Sequence, residues 1–192
     1  MRFLSYVLLA CLLGFIPTAF AQSFEGTIKM SHSQRPNQHF LISLQGSQSV
    51  LQPIGQGLVQ GVRMIADASN GTYVLVQGND VSDGRNIFQA EPDYTKVNLT
   101  GNQKKIDGHN CVEVQGLRDG QAFTAWLAPD LKHLDPNRFL MGGTQLALGD
   151  FRIPGRDGLI IEIQTIHPVT GAAYSLHNEV KAESVDDTLF TY

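Results

Sequence analysis

The sequence predicts a mainly β protein, built as one antiparallel sheet that is strongly curled or closed. Turn signals rich in Gly, Asn and Asp recur at the spacing of about 8–12 residues that is typical of all-β domains. Between them, apolar and polar residues alternate over about ten short segments. Only 135–141 is helix-like, since Asp135 can cap it, Pro136 suits its first turn and Gly142 ends it.

The first two predicted strands form a hairpin. Apolar and polar residues alternate from Phe24 to Ser31 and again from Phe40 to Leu44. Arg35-Pro36-Asn37 between them is a turn cluster. An antiparallel pair with one buried face is the structure that this pattern favours.

The chain from 45 to 90 alternates short strands and turns. Asn70-Gly71 lies between two β-rich runs and is a strong hairpin signal, because both residues tolerate positive φ. The remaining turns are expected at Pro53-Ile54-Gly55, Gly78-Asn79-Asp80 and Ser82-Asp83-Gly84, and the strands at Ser49–Gln52, Val62–Ala66, Thr72–Gln77 and Asn86–Ala90.

The second half contains the most apolar strands. In Gln121–Ala128, the side chains of Phe123, Ala125 and Leu127 are predicted to face one way and Trp126 the other. Apolar residues on both faces require a cover on each side of the sheet or a cavity on one side. The other strands expected here are Cys111–Gln115, Gly158–Ile166, Ala173–Lys181 and Leu189–Tyr192.

Residues 1–21 have the layout of a secretory signal peptide. A positive start at Arg2 precedes an apolar run from Phe3 to Phe15, and Ala19-Phe20-Ala21 forms a small-x-small cleavage site. We therefore expect cleavage near Ala21, one domain over 22–192, and a periplasmic or secreted protein. Lipoprotein processing at Cys11 is the less favoured alternative, because the residues after it stay apolar.

Composition excludes some classes of partner. The net charge is −4 at pH 7, and this mild acidity argues against nucleic-acid binding, which selects basic patches. Removal of the leader would leave Cys111 as the only cysteine, so no intrachain disulfide is expected.

No catalytic motif is present in the sequence. A Gly-x-Ser-x-Gly elbow is absent, and Gly55-Gln56-Gly57 reads as a turn because no helix follows it. The six histidines have no metal-ligand spacing along the chain. Cys111 follows His109 by two residues on one strand face and is interpreted as a small buried residue. We predict no catalytic residue, metal site or cofactor.

Two segments carry a family resemblance. Leu99–Cys111 (LTGNQKKIDGHNC) and Thr124–Leu131 (TAWLAPDL), with the opening Phe24–Ile28 and the strand Gly158–Ile166, resemble an uncharacterised exported bacterial family. That family is similar to the LolA/LppX-like lipoprotein-carrier superfamily. The resemblance implies a half-barrel with a short helical insertion over its concave face, supplied here by 129–150. It also implies a concave apolar face of the kind that holds acyl chains.

These patterns and the resemblance lead to three classes of function. The first is a non-enzymatic binding protein that holds a lipid or other apolar ligand in the concave face. Trp126 either fills the core or anchors such a ligand, and the other predicted ligand contacts are Phe139, Leu140, Met141 and Ile161. The second is an envelope scaffold with a self-packed barrel whose loops bind another protein. An enzyme is the third and least favoured class.

Overall fold

The computed structural model describes residues 24–58, 61–67, 69, 72–85, 92–132, 134, 151–166 and 169–192. The predicted leader, the predicted helix at 135–141, the Asn70-Gly71 turn and the predicted strand Asn86–Ala90 lie outside or largely outside these residues. The strands are β1 Gly26–His32, β2 Gln38–Gln45, β3 Gln48–Gly55, β4 Val62–Asp67, β5 Thr72–Gln77, β6 Asp80–Arg85, β7 Tyr94–Ile106, β8 His109–Arg118, β9 Gln121–Ala128, β10 Leu159–Ile166 and β11 Ala173–Ala182.

All eleven strands belong to one open antiparallel sheet in the order β6-β5-β4-β3-β2-β1-β11-β10-β9-β8-β7. The chain builds it as two meanders, β1 to β6 and β7 to β11, which meet where Ile28 of β1 pairs with Val180 of β11. The strands β6 and β7 are therefore the free edges. The predicted fold class, a mainly β curled antiparallel half-barrel, is confirmed, and of the curled or closed sheets that the pattern allowed, the open one is observed.

One face of this sheet is almost entirely apolar, and we call it the inner face. Register places Ile28, Ile42, Leu51, Ile163 and Val180 on this side. All five are at most 7% exposed. Burying an aliphatic side chain of this size contributes about 1.5–3 kcal/mol, so this face supplies the main driving force for folding.

The opposite, outer face is covered at β3 to β5 by the C-terminal segment. Val50 and Ile65 of the sheet cluster with Val185 and Phe190. The predicted strand at Leu189–Tyr192 is wrong, because Asp187–Phe190 forms a 3₁₀ turn. The side chain of Asp186 starts that turn by accepting a hydrogen bond from the Thr188 amide at 2.9 Å.

Two turn predictions in the first meander were also wrong. Pro53 and Ile54 belong to β3, where Pro53 pairs with Phe40 of β2. Because β4 pairs with β3 only over 48–51, the missing proline N–H removes no bond on that side. Ser82-Asp83-Gly84 belongs to the edge strand β6, whose backbone pairing with β5 outweighs the turn preference of those residues. The predicted pairing of β4 with β5 is confirmed.

The edge strand β7 was not predicted from the sequence. Its 13 residues are mostly exposed, so they show no apolar alternation. Pairing with β8 is interrupted by two register shifts, and Lys96 and Gly101 near them have φ of 53° and 85°. Such bulges protect an exposed edge against pairing with other chains.

Candidate functional site

A cavity of about 540 Å³ opens at one end of the inner face. We call it the mouth. It lies where the β1–β2 turn, the end of β8 and the start of β11 come together, a consequence of the antiparallel meander. The residues that line it are Met30, Ser31, His32, Gln34, Arg35, Gln38, His39, Phe40, Leu58, Arg118, Thr170, Tyr174 and Leu176.

The mouth is apolar on one side and polar on the other. Met30, Phe40, Leu58 and Leu176 supply hydrocarbon surface, and Met30 and Leu176 are themselves buried in the sheet. The polar lining comes from arginine, histidine, glutamine, serine, threonine and tyrosine side chains. Its volume falls within the range of about 300–1,000 Å³ that is usual for small-molecule sites.

Arg118, Tyr174 and His32 form a connected group in the lining. The rings of His32 and Tyr174 stack with centroids 4.9 Å apart and planes 8° apart. Nη1 of Arg118 donates to the Tyr174 hydroxyl at 3.5 Å, and its Cζ lies 5.9 Å from the centroid of the Tyr94 ring. These contacts restrict the conformations that the guanidinium of Arg118 can adopt.

Hydrogen bonds between separate loops fix the rim of the mouth. Nε2 of Gln34 donates to the Ala173 carbonyl at 2.9 Å. Nε2 of Gln38 donates to the Gln56 carbonyl, also at 2.9 Å. The Ser175 amide donates to Oγ of Ser33 at 2.8 Å. The turn after β1 is thereby attached to β11 and to the loop after β3, and the cavity has a fixed outline.

A second, shallower depression of about 560 Å³ lies on the outer face, and we call it the outer groove. Asn98, Gln115, Thr124 and Gln164 stand side by side across four strands in register. The charged group in its described lining is Lys96. The groove is open to solvent on its broad side, so it encloses less of its volume than the mouth does.

Trp126 lies on the outer face beneath a group of charges that we call the hairpin clamp. Lys104 Nζ lies 4.2 Å from the centroid of the indole ring and 3.1 Å from Glu162 Oε2. At the hairpin tip, Asp107 Oδ2 lies 2.8 Å from Nε2 of His177 on β11. Neighbouring strands lie about 4.8 Å apart. The β7–β8 hairpin must therefore curl over the outer face for its side chains to contact β10 and β11.

Cys111 is buried close to this clamp, with 1% of its surface exposed. Loss of solvation, helped by the negative charge of Asp130, raises the pKa of the thiol to about 11. Sγ donates to the His109 carbonyl at 3.6 Å. The prediction that Cys111 is a small buried residue is confirmed, and its thiol is protonated at neutral pH.

The two predicted ligand contacts that lie within the described residues, Trp126 and Ile161, are not at the mouth. Trp126 and Ile161 line neither the mouth nor the outer groove. Ile161 is fully buried at the bulge in β10, where the Ile160 carbonyl accepts from Nδ2 of Asn178 at 2.9 Å. Phe139, Leu140 and Met141 lie outside the described residues, so their contact with a ligand stays a prediction.

Sequence reasoning missed the residues of the mouth. In the sequence, Arg35 is part of a predicted turn, and Arg118 lies beyond the predicted strand Cys111–Gln115 and was not singled out. The two arginines belong to different meanders, so only the pairing of β1 with β11 places them at the same end of the sheet. Among the described residues no His, Cys, Asp or Glu cluster could hold a metal ion. No helix in that part of the chain is long and apolar enough to cross a bilayer.

Comparison with known proteins gives only remote structural similarity. No protein-family model matches the sequence, and no curated protein matches it. Two crystal forms of PNGF-II are similar over 88% of this chain at 16% identity and a TM-score of 0.44. The chain spans 30% of the PNGF-II chain in one form and 29% in the other.

The LolA superfamily, which the sequence resembles, is also represented among the similar solved structures. A LolA superfamily protein from Nitrosomonas europaea is similar over 90% of this chain and 92% of its own, at 12% identity and a TM-score of 0.37. At these TM-scores the similarities carry no argument about function.

Proposed function

We propose that this chain is an exported, non-enzymatic binding protein that holds a lipid or other apolar ligand at the mouth of its inner face. The observation that carries the proposal is the mouth itself, a cavity of about 540 Å³ with hydrocarbon surface and a fixed polar rim. Recessed apolar surface bordered by a few polar groups is the usual form of a small-molecule site. The predicted leader at 1–21 supports export.

The central part of the inner face is filled by the protein's own side chains, and this limits the size of the ligand site. Ile28, Ile42 and Ile161 have no exposed surface, so hydrocarbon at the centre of the face packs against the protein itself. A ligand chain therefore enters from the mouth and contacts Met30, Phe40 and Leu176 first. A deeper position would require the core to repack, which costs several kcal/mol.

The same packing supports a second candidate, an envelope scaffold. A self-packed sheet needs no ligand for stability, and its loops are then available to bind another protein. Val169, exposed at 86% between β10 and β11, is the kind of loop residue that such a partner would cover. We rank this function second because one exposed valine offers a partner little surface, whereas the mouth is a recess with a defined lining.

Native mass spectrometry of protein purified from its own envelope fraction tests the proposal. The binding function predicts a bound lipid-sized mass that is lost on organic extraction. Leu58→Trp, which narrows the mouth, should weaken binding of a fluorescent fatty acid at least fivefold. Leu117→Trp in the outer groove is the matched control and should leave binding unchanged. No co-purifying lipid and no fatty-acid binding would favour the scaffold.

A further inference from the structure

The outer groove presents a row of neutral hydrogen-bonding side chains. Asn98 of β7 pairs with Gln115 of β8. Thr124 of β9 pairs with Gln115 on one side and with Gln164 of β10 on the other. Neighbouring strands lie about 4.8 Å apart, so the row is about 14 Å long. Its three carboxamide side chains are exposed, so they can meet a molecule that lies across the four strands.

Hydrogen bonds within the protein orient the carboxamides at both ends of this row. Nδ2 of Asn98 donates to the Lys96 carbonyl at 2.9 Å, and Nε2 of Gln164 donates to Oε1 of Glu162 at 3.0 Å. Gly116 lets the Lys96 carbonyl approach β8, since a Cβ at position 116 would lie 3.1 Å from that oxygen. A carboxamide has two N–H donors and one oxygen acceptor. After its one bond within the described residues, each end amide thus retains an N–H and an oxygen for a ligand.

An apolar row runs beside the amide row on the same face. Leu117 of β8 pairs with Ala122 of β9, and Ile166 of β10 pairs with Ala173 of β11. Three of these residues lie two positions from a member of the amide row, and alternate residues of a strand share a face. Ile166 is 36% exposed, and both alanines are exposed as well. The groove therefore offers a hydrogen-bonding row and a strip of hydrocarbon side by side.

We infer that the outer groove binds an extended glycan, a β-1,4-linked chain of neutral sugars. A pyranose ring carries hydroxyl groups around its rim and C–H groups on its faces, so it matches amides that lie beside apolar side chains. A hydroxyl both donates and accepts hydrogen bonds, as a carboxamide does. The row crosses four strands in register, so it is longer than one sugar ring and suits consecutive units of an extended chain. This site is separate from the mouth and goes beyond the function proposed for it.

The lining of the outer groove disfavours other classes of ligand. Lys96 is the one charged residue of its described lining, whereas nucleic acids select several cations. A peptide strand adds to a sheet through a free edge, and β8, β9 and β10 are paired on both sides within the sheet. A lipid chain would cover the amides without replacing their hydrogen bonds to water, which is unfavourable. The hydroxyl groups of a glycan replace those bonds.

NMR titration of the folded protein tests this site with three tetrasaccharides. Cellotetraose and chitotetraose are β-1,4-linked and extended, and maltotetraose is α-linked and curved. We expect a β-linked probe to shift the side-chain amide signals of Asn98, Gln115 and Gln164 in a saturable manner, together with the methyl signals of Leu117 and Ile166. Maltotetraose should bind more weakly by about fivefold or more, because a curved chain meets fewer members of the row.

Substitutions in the row give the second arm of the test. Gln115→Leu and Gln164→Leu should each weaken binding of the β-linked probe about fivefold, because each removes hydrogen bonds to the sugar. Gln103→Leu is the matched control, since Gln103 is exposed on β7 and lines neither the groove nor the mouth. The backbone spectrum of each variant reports whether the sheet is folded.

Three results would overturn the glycan site. The first is that neither β-linked probe shifts the signals of the row, and the second is that Gln103→Leu weakens binding as much as the row variants do. The third is that an oligonucleotide or an extended peptide shifts these signals while the tetrasaccharides do not. Binding of oleate at the mouth is measured separately, so failure of the proposed function would leave this inference standing, and the reverse also holds.

Discussion

The mouth and the hairpin clamp both place a cation beside an aromatic ring, and they differ in the space around that cation. In the clamp, Lys104 lies over Trp126 and its charge is paired with Glu162 at 3.1 Å. In the mouth, Arg118 lies beside Tyr94 and Tyr174, and the described lining holds no carboxylate. The clamp therefore holds the hairpin against the sheet, whereas the mouth leaves a cavity of about 540 Å³ beside its cation.

This difference separates structural aromatic residues from candidate binding residues in one molecule. Trp126 is a conspicuous side chain, being the only tryptophan of the chain. Its position under a paired lysine nevertheless indicates a role in holding the hairpin over the sheet. Substitutions in the clamp should change stability and leave binding unaffected, and substitutions at the rim of the mouth should do the reverse.

The largest effect on stability is expected from Trp126→Ala. Truncation of a fully buried tryptophan to alanine lowers the free energy of unfolding by about 3–5 kcal/mol. Trp126 is only partly buried, so we expect its truncation to lower the free energy of unfolding by about 2–3 kcal/mol. Urea unfolding measures this loss, and titration with oleate should give an unchanged affinity for the folded variant. A loss of affinity of tenfold or more would place Trp126 in the ligand site and remove the distinction between the two regions.

A comparable effect at high pH is expected from Cys111. Its pKa is raised to about 11 in the folded protein, above the ordinary value of 9.0. The folded state thus binds this proton more tightly, and the resulting stability is complete below pH 9 and lost as the pH rises through 11. Relative to Cys111→Ala, the native protein should lose about 2 kcal/mol between these pH values. Parallel pH profiles of the two proteins would mean that the thiol is not buried.

At neutral pH, the reactivity of the Cys111 thiol distinguishes the buried region next to the hairpin clamp from the open mouth. Cys111→Ala should cost about 1 kcal/mol, because little buried volume is removed. A bulky maleimide should label native Cys111 only slowly, whereas Leu58→Cys in the Cys111→Ala background should be labelled rapidly. Oleate should protect the cysteine at position 58. Rapid labelling of Cys111 would contradict its burial and would reopen a reactive role.

The smallest effect is expected from the Lys104–Glu162 pair. Both side chains are partly exposed, at 39% and 22%, so solvent screens their attraction. A double-mutant cycle with Lys104→Met and Glu162→Gln should give a coupling free energy of about 0.5 kcal/mol, reduced by salt.

At the rim of the mouth, Arg35→Gln should change the free energy of unfolding by less than about 0.5 kcal/mol. A larger loss there would mean that Arg35 supports the fold.

Sequence patterns predicted the strands that bury one face and missed the strands that bury none. Apolar alternation identified β1, β2, β9 and β10, because the inner face selects apolar residues at every second position. The edge strand β7 is mostly exposed, and β6 pairs with β5 alone among the described strands, so turn-forming residues such as Gly84 and Gly101 are tolerated in them. Their strand conformation comes from pairing with β5 and β8, which no local pattern records.

The mouth was beyond sequence reasoning for a related reason. Its lining combines residues from distant turns, and Arg35 and Arg118 line one cavity only because the two meanders join at β1 and β11. Sequence reasoning selected large apolar side chains as ligand contacts. In a curled sheet such side chains mostly fill the core, as Ile161 does. A cationic side chain near the end of a strand is common, and only the topology shows which of these side chains line one cavity.

Methyl NMR during titration with oleate locates the binding surface, since it reports which methyl groups the ligand covers. The mouth offers the methyl groups of Met30, Leu58 and Leu176, and the outer groove offers those of Leu117 and Ile166. We predict that oleate shifts the signals of the mouth methyl groups in a saturable manner and leaves those of Leu117 and Ile166 unchanged. Shifts confined to the outer groove, or none at all, would contradict it.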